Sequence, residues 1–271
     1  MGLDVYVGSL TRYYCGEWET VLQQLSVPLE WPEASRETVT SADAAALEAR
    51  RAESLARLQK AAASIGARVE GPGQGPQITD ADRRRVAKDI AKWRKRLDRH
   101  LKGRIQGDFE WDENPTGPYF TDKPGWEAYR ALALWAAYDE HPNLPRPTTS
   151  VEDWTTDPAW QASAAKGFLT QYEQLVNGSE IWLPNDFAFT FEVRELGGRK
   201  VTIGSSHALL RNLKRLNERT WRADASTLEQ WRQEGPERNG SLERNAQFAL
   251  SVFLALCEQS VAHRLPMKLD Y

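Results

Sequence analysis

Residues 80–104, DADRRRVAKDIAKWRKRLDRHLKGR, constrain the fold more than any other stretch of the chain. The window 83–104 holds eleven Lys or Arg and only two Asp. Such a segment can bury one narrow side at most, because an unpaired charge is costly to remove from water. Its apolar positions supply that side. Val86, Ile90, Trp93, Leu97 and His100 are spaced 4, 3, 4 and 3 residues apart, the spacing of a single helical stripe. With Trp93 turned inward, Arg85, Lys88, Lys92, Lys95, Arg96 and Arg99 fall on the opposite face, and Arg84 and Lys102 extend it.

A second helical stretch precedes this one. Residues 40–68 are rich in Ala, Leu, Glu and Arg, all good helix formers. Thr40 and Asp43 open the stretch with a T-x-x-D capping pattern, which Thr79 and Asp82 repeat before the basic segment. Leu55, Leu58, Ala62 and Ile65 give it a seam of its own, and EGPGQGP separates the two. Matching seams joined by a Gly/Pro loop predict an antiparallel helical hairpin over 40–104, with arms of ~35–40 Å. The same seams are compatible with exchange between two copies, so the oligomeric state stays open. GPGQG at 71–75 lacks the Lys-Ser/Thr of a phosphate loop and follows no strand, so it reads as the hairpin turn.

The remainder, 1–39 and 105–271, reads as the core domain. LDVYV alternates, with Leu3, Val5 and Val7 facing one way and Asp4 and Tyr6 the other. Phe187, Phe189, Phe191 and Val193 alternate into a turn at Gly197–Gly198, and Val201 and Ile203 return. Helices are predicted over 125–141, over 157–178 with Asp157 as cap and Pro158 in the first turn, from Ser205 onward, and after Ser241. The last of these, LERNAQFALSVFLALCEQSVAHRL, is apolar on most sides and belongs at the centre of the core. The fold class is therefore α+β: a small, mainly antiparallel sheet packed by helices, with the hairpin inserted.

Charge is unevenly distributed. Residues 43–104 carry sixteen basic and eight acidic side chains, whereas the whole chain is −3, which leaves −11 for the rest. An exposed basic face in an acidic chain suits a docking surface for an acidic protein partner, and this is the leading reading. Nucleic acid is the first alternative, bound through the same face. Against it stand the absence of interleaved exposed aromatics and of any helix-turn-helix, zinc-finger or basic-zipper pattern. The second alternative is an enzyme with a site between GSSH at 204–207 and the acidic, aromatic segment 108–120. There Ser205, Ser206 and His207 open a helix and could hold an anion, against the simpler reading of a serine N-cap. Asp108, Glu110, Asp112 and Glu113 could form an acid pair or a cation site, against the simpler reading of a solvated loop. No G-x-S-x-G or other nucleophile signature is present, so a non-enzymatic role is favoured.

Metals and cofactors find no support. His100, His141, His207 and His263 are scattered, and Cys15 and Cys257 offer neither metal spacing nor a disulfide framework. No apolar run approaches a membrane span, and an acid at position 4 without an apolar core argues against a secretory signal. A cytoplasmic location is expected.

The opening MGLDVYVGSLTRYY resembles the start of a family of bacterial proteins of unassigned function whose members begin Met-Gly-Leu-Asp-Val-Tyr, and HRLPMKLDY resembles their end. The resemblance covers the two termini and implies no catalytic residue. By analogy of class alone, small α+β bacterial chains without a catalytic motif include immunity-type and defence-associated partners.

Overall fold

The computed structural model describes residues 2–21, 78–105, 108–151, 153–237 and 240–271. Contacts divide the chain into two units, Met1–Trp18 with Asp80–Tyr271, and Glu19–Thr79. All elements named below belong to the first unit. The expected helix over 40–68 and the turn at 71–75 lie outside the described residues.

Six short strands form one sheet: β1 (Asp4–Val7), β2 (Phe120–Asp122), β3 (Ile181–Leu183), β4 (Phe191–Arg194), β5 (Lys200–Ser205) and β6 (Met267–Asp270). Their order is β2-β1-β6-β3-β5-β4, antiparallel throughout except for the parallel pair β3–β5. The helices are α1 (Leu10–Cys15), α2 (Asp80–Leu101), α3 (Gly125–Glu140), α4 (Pro158–Ser163), α5 (Glu173–Val176), α6 (Ser206–Arg219), α7 (Ala225–Glu234) and α8 (Leu242–His263). The architecture is α+β, as the segregated strand and helix patterns imply.

The period-2 alternation of the strands divides two cores between the two faces of the sheet. Leu3, Val5 and Val7 pack with Trp182, Met267 and Leu269 against the larger helical layer of α3, α6 and α8. Helix α8 is buried on most sides and runs through that layer, which accounts for its nearly continuous apolar sequence. Ile181, Leu183, Val201 and Ile203 point the other way, into a smaller core with Leu10, Trp111 and Phe187.

Helix α2 closes this smaller core. Ile90, Trp93, Leu97 and Leu101 are all buried in it. The Trp93 indole donates to the carbonyl of Arg194 at 2.9 Å and meets Trp111 edge-on at 6.3 Å. The apolar stripe read as a hairpin seam is thus the stripe that seats the helix on the sheet. His100, expected on that seam, is exposed and stacks on Phe191.

The two terminal stretches that carry the family resemblance are neighbours. β1 and β6 pair antiparallel, with Val5 opposite Leu269 and Tyr6 opposite Lys268. The single helix expected over 157–178 is two helices, α4 and α5. Between them Gly167 adopts φ +93°, which ends any continuous helix, and Leu169 projects into solvent.

Candidate functional site: the outer face of helix α2

The inward stripe fixes which side chains α2 presents outward. At 100° per residue, the eight cations Arg84, Arg85, Lys88, Lys92, Lys95, Arg96, Arg99 and Lys102 fall within a sector of about 120° roughly opposite the middle of the inward stripe of Val86, Ile90, Trp93, Leu97 and Leu101. All eight are exposed. Lys92 pairs with Asp89 one turn away at 3.1 Å. The other seven make no ion pair among the described residues. Several cations elsewhere are matched: Arg199 with Glu180 and Glu195, Arg211 with Asp186, Arg219 with Asp139, Arg264 with Glu110. The acids of α2 stand at the edges of the basic sector, so among the described residues its centre has no counter-charge.

Among the described residues, two grooves lie between the helix and its neighbours. One, of about 560 Å³, lies between α2 and the β4–β5 turn. Tyr14, Val86 and Leu196 give it an apolar floor, while Arg85, Lys92 and Arg96, together with Asp82 and Asp89, line its α2 side. The other, of about 550 Å³, lies between α2 and the 108–113 segment. On that side Arg94 is already engaged. Its guanidinium donates to the carbonyl of Phe109 at 3.1 Å and covers the Trp111 ring at 4.8 Å. The segment 108–113 thus engages Arg94, and among the described residues no ion pair joins it to the eight outward cations.

The alternative site near 204–207 has a different character. Ser205 caps α6: its Oγ accepts from the Ala208 amide at 3.1 Å and donates to the Asn185 carbonyl at 2.7 Å. Ser206 Oγ is 2.6 Å from Ser260 Oγ. Both serines are 0% exposed, so neither hydroxyl is open to an anion, and the capping role holds instead. His207 is half-buried.

The acidic segment does approach this turn, through Asn185, whose Nδ2 donates to the carbonyls of Asp108 and Glu110. Three of its four carboxylates, however, have structural partners. Glu113 accepts from the Leu10 and Thr11 amides at 3.2 and 2.9 Å, from the Thr11 hydroxyl and from the Trp111 indole, so it caps α1. Arg264 bonds Glu110 and holds its carboxyl below the usual range. Asp112 accepts from the Asn114 amide. No general-acid pair is left in this arrangement. Among the described residues no group of three His, Cys, Asp or Glu side chains is placed to hold a metal ion. Cys15 and Cys257 are buried free thiols.

No family model, curated protein or solved structure matches this chain.

Sequence reading missed the groove beside α2 and a polar network next to it. On the sheet face away from α8, Lys268 is 3% exposed and reaches Glu195 at 3.3 Å. Glu195 also accepts from Arg199 at 2.9 Å and from the Tyr14 hydroxyl at 3.1 Å. The Tyr13 hydroxyl donates to Asp270 at 2.5 Å. Burial alone would raise the Glu195 carboxyl, but Lys268 and Arg199 hold it below its ordinary value. This network ties α1 and the β4–β5 turn to β6, and so fixes the wall of the groove opposite α2. The only sequence signal was a lysine inside a terminal strand, MKLD, with an acid two residues on.

Proposed function

We propose that the chain is a non-enzymatic, cytoplasmic interaction module that docks an acidic protein partner through the outer face of α2, as an immunity-type or defence-associated partner would. One observation carries the reading: seven exposed cations without a counter-ion among the described residues, on a helix whose other side is locked into the core. Like charges held this closely repel one another, so the arrangement costs stability unless an opposing surface relieves it. A rigid helix presents them with little ordering cost on binding. Long-range attraction would speed encounter with an acidic surface, and close pairing would fix its orientation.

Protein is favoured over nucleic acid by the composition of the face. No aromatic side chain stands among the outward cations to stack a base, since Trp93 is buried and His100 is stacked on Phe191. The test is binding of the purified chain to polyglutamate, duplex DNA and single-stranded RNA over a salt series from about 50 mM upward, where charge contacts are strongest at the low end. The reading expects polyglutamate to bind and the Lys88→Glu/Lys92→Glu/Lys95→Glu variant to lose that binding while keeping its fold. Nucleic acid bound more tightly than polyglutamate, with a steep salt slope, would transfer the site to nucleic acid.

A further inference from the structure

The spacing of the cations on α2 carries information beyond their sign. Arg85, Lys88, Lys92, Lys95, Arg99 and Lys102 follow one another at intervals of 3, 4, 3, 4 and 3 residues. This is the heptad rhythm by which one helix faces another along its length. Here it is written in exposed cations, over about 26 Å of helix at 1.5 Å per residue. A second helix carrying acids at the same 3–4 spacing stays in register along the whole ladder, at the shallow crossing angle of such pairs. An extended strand advances about 3.3 Å per residue, so its like-facing side chains recur about every 6.6 Å and fall out of step with a ladder averaging about 5 Å.

The groove beside the ladder supplies the second half of the argument. Its floor of Tyr14, Val86 and Leu196 is half-buried and apolar, and it runs along the Arg85–Lys92–Arg96 edge of the basic sector, with Asp82 and Asp89 between those cations and Val86. A helix laid on the cations would bring the side chains one position round from its acidic stripe over this floor. Recognition of an amphipathic helix combines these two elements, apolar anchors at helical spacing in a groove and a charged rim that sets orientation.

We infer that the occupant of this face is an acidic amphipathic helix, with Asp or Glu at 3–4 spacing against the cation ladder and an aliphatic side chain against Val86 and Leu196. This rests on the docking reading above and narrows it to a shape. The test uses the full chain and two fluorescent peptides of about 20 residues with identical composition. In the first, Glu recurs at 3–4 spacing beside a Leu stripe; in the second, the same residues are permuted so that no helical face is acidic. Anisotropy titrations are run with both peptides and with polyglutamate.

The striped peptide should bind at least about tenfold more tightly than its permuted isomer, a difference of about 1.4 kcal/mol. Leu196→Asp should remove most of that preference while leaving polyglutamate binding nearly unchanged. Equal affinity for the two peptides would overturn the helix inference and leave the docking reading standing. Failure of both peptides and of polyglutamate at low salt would overturn both. Should Leu196→Asp unfold the protein, the comparison of the two peptides on the unaltered chain still decides the matter.

Discussion

Replacing Trp93 by alanine separates a core helix from a projecting arm. Trp93 is 1% exposed, sits between α2 and the sheet, touches Trp111 and donates its indole N–H to the Arg194 carbonyl. Truncating a buried Trp to Ala costs about 3–5 kcal/mol through lost burial and the cavity left behind. The lost hydrogen bond, about 1 kcal/mol, is one part of that range. At roughly 2–4 °C per kcal/mol for a domain of this size class, the melting temperature should fall by about 6–20 °C. Urea unfolding followed by far-ultraviolet circular dichroism measures the change without relying on the ten remaining tryptophans. Lys88→Ala, on the outward side of the same helix, should stay within about 0.5 kcal/mol of the parent. A Trp93→Ala loss below about 1 kcal/mol would show that α2 does not close the smaller core, and the reasoning that points its cations outward would fail with it.

Three further outcomes follow from the same packing. Glu195→Ala leaves Lys268 buried without its carboxylate and should cost about 3–5 kcal/mol, whereas Glu195→Ala/Lys268→Met should recover much of that loss; calorimetry of the two variants checks the order. Because the folded Glu195 carboxyl titrates below its ordinary value of 4.5, its pairing contributes fully above about pH 4.5 and is lost as pH falls through the lower folded value, so the stability gap between parent and Glu195→Gln should close on acidification. Ser205→Ala should lower stability by about 1–2 kcal/mol, as loss of a helix cap does, and inorganic phosphate should leave the melting temperature of the parent unchanged, since the hydroxyl is committed to Ala208 and Asn185.

The long elements were legible in the sequence because their periodicity is long. The stripe of α2, the nearly all-apolar α8, the alternation of β1 and the turn at Gly197–Gly198 could each be read from residue spacing. Three short pieces could not. Ile181–Leu183 is three apolar residues buried on both sides, which gives no period to detect. Met267–Asp270 carries a lysine in the sheet interior, made tolerable only by Glu195 from a distant turn. Helix α7 has no buried residue and is marked chiefly by its Asp224 cap, whose carboxyl is pulled down to about 2 by the Thr227 and Ser226 groups it accepts from. The cations of the candidate site were legible by number, because helical geometry alone places them opposite the apolar stripe that carries Trp93. The groove beside them was not, since it joins Tyr14, Val86 and Leu196 from three remote segments that only the sheet brings together.

The central claim is that the outward cations of α2 are a docking surface for an acidic protein. Its most direct test is the affinity of the purified chain for polyglutamate at about 50 mM salt, beside that of the Lys88→Glu/Lys92→Glu/Lys95→Glu variant. The account predicts binding by the parent that weakens as salt rises, and its loss in a variant with an unchanged circular dichroism spectrum and melting temperature. Equal binding by both proteins, or none by the parent, would contradict it.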